Sequence, residues 1–228
     1  MKINNLSLAK QVLYFSIIIL VWIILYKLAF LKYNELFPGA FEVGEIFYSL
    51  ATSVMASSIF YYIVVYRPLR QKHQVIKNSI SKRVGLFKLD YILIKKDIYE
   101  LKSLSVPENL PSDYRDFEIV CEGILLTDKP PVIYNNPPYY PPSWFDYFDY
   151  YFSLESSNIK MLHNFWDEIP GDVKVLLEEL QTNALHGALS TYRATPHSYG
   201  LSDLAGPLWD HLNILKRIPE TLDKTLRI

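Results

Sequence analysis

Ile46–Tyr66 reads IFYSLATSVMASSIFYYIVVY, a run of 21 residues without a charge that passes directly into the basic exit Arg67-Pro-Leu-Arg70. At about 1.5 Å per helical residue such a run covers the ~30 Å hydrocarbon core of a bilayer, which predicts a transmembrane helix. Its aromatic end suits the headgroup interface. Residues 12–30, VLYFSIIILVWIILYKLAF, form a second run of this kind with one charge, Lys27, near the far end. Between the two, Phe37-Pro38-Gly39 is a turn signal that neither helix absorbs. Residues 1–66 therefore read as a hairpin of two spans, 12–30 and 46–66.

Orientation follows from lysine and arginine near the span ends. Lys2 and Lys10 precede the first run with no acid, and Arg67, Arg70, Lys72, Lys77, Lys82 and Arg83 follow the second with no acid before Asp90. The loop offers Lys32 against Glu35, Glu42 and Glu45. Both termini are expected in the cytoplasm and the loop outside. The rival reading is a cleaved signal peptide over residues 1–30. It lacks a small-x-small cleavage site, and its apolar run is long for such a segment. With 46–66 as a stop-transfer, residues 67–228 are cytoplasmic on either reading.

Composition agrees with a membrane chain. Of 228 residues 50% are hydrophobic and 15% aromatic, and the mean hydropathy is +0.07. Eighteen Tyr and 14 Pro against 8 Gly exclude collagen and Gly-rich low complexity, and a single cysteine, Cys121, excludes an internal disulfide framework.

The net charge of −1 conceals a division. Residues 67–104 hold ten basic side chains against three acids, whereas 105–228 hold nine against eighteen. In the basic segment Ile76, Ile80, Val84, Phe87, Tyr91, Ile94, Ile98 and Leu101 recur every three or four residues, the seam of one long amphipathic helix. Pro68 suits its start, and Pro107 and Pro111 place its end before the 103–111 linker. The seam either packs on the acidic head or forms a coiled-coil dimer, since its spacing is near the 3.5 average of such seams. The basic face is suited to anionic lipid, and contact with a nucleic acid backbone is also electrostatically possible.

The head, residues 105–228, also reads as helical. A short helix is expected over 112–126, capped by Ser112 or Asp113, and the six prolines of residues 128–143 make a stiff extended loop. Helices over 144–167, 173–192 and 203–227 come after it, introduced by Ser143, Asp172 and Ser202. No strand alternation persists and no long repeat recurs, so the fold class is all-α.

No phosphate-binding glycine loop, nucleophile elbow or H-E-x-x-H motif is present. The five histidines, at 73, 163, 186, 197 and 211, contain no pair at helical metal-ligand spacing, so no metal and no cofactor is expected. Arg193-Ala-Thr-Pro-His197 falls short of the Arg-x4-6-His motif of the HEPN ribonucleases, with three intervening residues and a proline among them. Neighbouring carboxylates, Glu178-Glu179 and Asp167-Glu168, point about 100° apart on a helix and share no site. The expectation is a non-enzyme without a small-molecule substrate, with Cys121 a small buried hydrophobe.

Two surfaces are left for interaction. Ser49, Thr52, Ser53, Ala56 and Ser57 form a small, weakly polar stripe on the second span, fit for packing within one hairpin or for association of several. Tyr139, Tyr140, Trp144, Phe145 and Phe148 begin an aromatic concentration that extends to Phe152. That concentration serves either as core or as a partner-binding surface.

The stretch Tyr48–Arg70, YSLATSVMASSIFYYIVVYRPLR, resembles the second span of small bacterial two-transmembrane proteins that accompany retrons and related anti-phage modules. The likeness covers the hairpin and its exit, about a quarter of the chain. It implies an inner-membrane effector held silent by a cytoplasmic partner, a reverse transcriptase with its RNA–DNA product, and released on infection to disturb the membrane as a homo-oligomer. It supplies no catalytic residues.

Overall fold

The computed structural model describes residue 11 and residues 14–25, 40–133, 138–194 and 199–226. Among these residues every regular element is helical, and the only pairings of extended chain are two isolated bridges, Leu125 with Gly200 and Ile133 with Tyr139. The chain divides into two compact units, Met1–Val75 and Ile76–Ile228. The basic segment 67–104 is one helix over Arg67–Leu101, and the division between the units falls within it.

In the first unit, α1 spans Tyr14–Leu25 and α2 spans Ala40–Tyr61. A π-helical turn, Tyr62–Tyr66, succeeds α2 and leads at once into α3, Arg67–Leu101. A π turn acts as one inserted residue and rotates the helix beyond it by about 100°. Tyr62 and Tyr66 pack their rings 5.3 Å apart across it. Phe47, Leu50, Ile59, Phe60 and Ile63 are exposed, the reverse of a helix that buries an apolar stripe in a water-soluble core. Among the described residues one helix, Phe41–Leu101, has a stretch long and apolar enough to cross a membrane, and α1 is a shorter apolar helix. The remainder of the first expected span and the Phe37-Pro38-Gly39 turn lie outside the described residues.

Among the described residues the regular elements of the second unit are all helical. The unit comprises the rest of α3 with α4 (Tyr114–Cys121), α5 (Trp144–His163), α6 (Gly171–Gln181), α7 (Ala184–Tyr192) and α8 (Ala205–Leu226). Ile80, Val84, Phe87, Tyr91, Ile94 and Ile98 are buried in one core with Phe117, Trp144, Phe148, Leu177, Leu208 and Leu215. Helix α8 is central, packed by α4, α6 and α7. Helix α5 runs antiparallel to α3, because Asp97 meets Tyr147 while Arg83 meets Asn158.

Several boundaries differ from expectation for local reasons. Helix α4 stops at Cys121 because Gly123 adopts φ +71°, after which Leu126 N–H donates to Tyr199 and Leu201 N–H to Ile124. The expected helix over 173–192 is two: the Asn183 side chain accepts from Leu185 N–H as a new cap, while Thr182 Oγ1 donates back to Glu178. Helix α6 begins at Gly171, ahead of Asp172, and a 3-10 turn, Leu201–Leu204, leads into α8. Ser143 does cap α5, accepting from Asp146 N–H and donating to the Asp146 carboxylate.

Candidate functional site

The residues singled out in the sequence are distributed over both units. On α2, Ser49, Ser53, Ala56 and Ser57 are exposed, and the partly covered face is the neighbouring one, Tyr48, Ala51, Thr52, Met55 and Ser58. The small-residue stripe is therefore not the side of α2 that is covered; Thr52, which donates to the carbonyls of Tyr48 and Ser49, lies at its margin. Along α3, Ile80 to Ile98 are core, Ile76 is partly buried and Leu101 is exposed. A dimer seam through these positions would require the core to open.

The aromatic concentration also requires correction as a partner surface. Trp144 and Phe148 are fully buried and Phe145 nearly so, packed through Trp144–Tyr147, Trp144–Phe148 and Phe148–Phe152 ring contacts. Tyr139 is half-buried and stacked on Tyr150 at 5.1 Å, so Tyr140 is the one of the five that stands exposed. The reason is that α5 meets α3 through Tyr147 and Asn158, α7 through Phe152 and α8 through Phe152 and Glu155, so more than one of its faces is covered.

A buried polar strip, absent from the sequence reading, lies on these same helices. On α3, Asp97 accepts a 2.6 Å hydrogen bond from the Tyr147 hydroxyl of α5. Burial pushes the Asp97 carboxyl above its ordinary range, and the Tyr147 hydrogen bond opposes that rise. One helical turn toward the N-terminus of α3 from Ile94, Asp90 is buried and its carboxyl is pushed up to about 7, first by desolvation and then by the charge of Glu155. Burial likewise raises the phenols of Tyr147 and Tyr151.

The strip ends in a cluster. Glu155 of α5 is buried, and its Oε1 lies 3.1 Å from Nε2 of the fully buried His211 of α8. The half-buried His186 of α7 completes it: one ligand-type atom from each of Glu155, His186 and His211 lies within 4.8 Å of the others. The two imidazoles are held by Phe152, which stacks on His186 at 3.7 Å and meets His211 edge-on at 5.4 Å. Burial, then the proximity of His211, lowers the pKa of His186 and favours its neutral form. The arrangement is a compact N, N, O donor set fixed from three helices. His197 lies outside the described residues. Arg193 instead pairs with Asp149 at 2.6 Å on the surface, each half exposed.

His186 and His211 are too far apart in sequence for any spacing rule to join them. The signal that was available is different in kind. Glu155 continues the buried register Phe148, Tyr151, Glu155, Ile159, and His211 continues Leu204, Leu208, His211, Leu215. A charged or polar side chain in an apolar register has to find a partner inside.

Comparison with known proteins returned no match: no family model, no curated protein and no solved structure is similar to this chain.

Proposed function

We propose that this chain is a bacterial inner-membrane effector of anti-phage defence, a two-span hairpin whose cytoplasmic α-helical head controls association of the spans. The observation that carries the reading is that α2, the π turn and α3 succeed one another with no intervening loop, and α3 supplies the buried Ile80–Ile98 seam of the head. A rearrangement of the head then acts on a helix that belongs to the membrane segment. The exposed Ser49, Ser53, Ala56 and Ser57 stripe permits close helix approach between copies. In the resting state the head holds the seam, and a reverse transcriptase with its RNA–DNA product keeps the head closed. Release brings hairpins together and disturbs the bilayer. Both termini are cytoplasmic, and the protein is not an enzyme.

One observation favours a second reading. The seam is already satisfied inside the head, as expected of a passive anchor that tethers a partner-binding domain to the membrane. The two are separated by expressing the chain alone and with its neighbouring genes while membrane potential is followed with a dye. Depolarisation abolished by Ser53→Leu, with expression and insertion unchanged, supports the effector. Unchanged potential under every inducing condition, with function retained when residues 1–66 are replaced by an unrelated two-span hairpin, establishes the anchor.

A further inference from the structure

We propose that Glu155, His186 and His211 bind one divalent transition-metal ion of the zinc class, tying α5, α7 and α8 together inside the head. The site does not depend on the membrane reading and would be present in an anchor as well as in an effector.

Three features lead to it. The first is the donor set: two imidazoles and one carboxylate from three different helices, with atoms within 4.8 Å of one another. Metal–ligand bonds of about 2.0–2.2 Å in a tetrahedral site place ligand atoms roughly 3.4 Å apart. Glu155 Oε1 and His211 Nε2 already stand at 3.1 Å, and one nitrogen of His186 lies within 4.8 Å of the other two donors. Such N, N, O sets suit zinc and its first-row neighbours, not calcium or magnesium. Bundle interiors are where facing helices build such sites.

The second is unmet bonding capacity at the same place. Glu155 Oε2, His211 Nδ1 and Asp90 Oδ2 are buried and have no hydrogen-bond partner. Buried polar atoms in a folded domain nearly all have a partner, so a free carboxylate oxygen on Glu155 and a free ring nitrogen on His211 leave two of the three residues with unused donor capacity, of which one ion takes a single nitrogen of His211. Asp90 and Glu155 bring two carboxyl groups into one largely apolar interior. A dication on Glu155 supplies the opposing charge for a buried carboxylate.

The third is access and rigidity. His211 is sealed in the core, but His186 is half-buried and gives the ion a route from solvent. Phe152 fixes both rings, so little side-chain freedom is lost on binding. Three protein ligands leave a fourth position for water or a ligand from a partner.

The test uses the full chain in detergent, stripped with a chelator and titrated with Zn²⁺ alone by calorimetry, with metal content measured after gel filtration. One ion per chain is expected, together with a rise in the thermal midpoint. Co²⁺ should give a visible spectrum of low symmetry. His186→Ala, at a half-buried position that leaves the core intact, is expected to weaken binding by ~100-fold or more and abolish the Co²⁺ spectrum. Glu155→Gln should do the same if it folds, and the exposed His163→Ala should change nothing. Failure to take up Zn²⁺, or uptake that His186→Ala leaves unaltered, overturns the proposal.

Discussion

The Tyr147 hydroxyl of α5 donates to Asp97 Oδ2 of α3 at 2.6 Å, joining two antiparallel helices of the head. Burial holds the Asp97 carboxyl above its ordinary range, and this hydrogen bond pulls it back toward the charged form. Because the folded value exceeds the unfolded one, the folded chain keeps a proton that the unfolded chain has released. The stability due to Asp97 therefore falls as pH rises from the ordinary carboxylate range through the raised value. Tyr147→Phe removes the opposing interaction and extends that window upward. The expected cost is about 1–3 kcal/mol at pH 8 and clearly less at pH 4–5, read from the cooperative unfolding of the head at both pH values. A cost that is larger at the acid end would contradict the assignment.

Cys121 gives a chemical check on the same core. It is fully buried, and desolvation pushes its thiol up to about 12. At pH 8 only about one thiol in 10⁴ would be ionised in the native state. Maleimide labelling of the folded chain is expected to be at least ~10³-fold slower than in denaturant. Rapid native labelling would mean that α4 does not seal this part of the core.

Topology is tested by reporter fusions after Gly39 and after Leu104. The excess of lysine and arginine before residue 12 and after residue 66 predicts that the first reports an external position and the second a cytoplasmic one. An internal position for the Gly39 fusion would remove the hairpin and, with it, the proposed mechanism.

The all-helical class and the long α3 were legible because they rest on local signals. The Ile80–Ile98 seam repeats at the helical period, and Ser143 caps α5 through its own side chain. The break at Asn183 was less so, because a cap inside an apolar run is visible only when the chain changes direction. Trp144, Phe145 and Phe148 show why an aromatic excess does not identify a surface: a helix that meets several others buries more than one face. The Glu155–His186–His211 cluster was not legible by spacing, since α7 and α8 bring its histidines together only in tertiary structure. Its trace was a polar residue inside an apolar register.

A buried cation holds the linker beyond α3. Lys95 is buried, yet its Nζ donates to the carbonyls of Pro107 and Glu108 at 2.6 and 2.7 Å and lies 4.9 Å from the centre of the Tyr91 ring. Lys216 of α8 approaches the same segment, donating to Asn109 at 2.8 Å. Burial, then the charge of Lys216, lowers the proton affinity of Lys95, so its two carbonyl bonds are what compensate an otherwise costly cation. Lys95→Met keeps the aliphatic stem but leaves both carbonyls without this donor, at an expected cost of about 2–4 kcal/mol. The adjacent Lys96 is half exposed and pairs with Glu100 at 3.6 Å across one helical turn, so Lys96→Met should change stability by no more than ~0.5 kcal/mol. Limited proteolysis separates a local effect from a global one: Lys95→Met should open cleavage within residues 103–111 before the rest of the head. Equal effects of the two substitutions would show that Lys95 does not hold the linker.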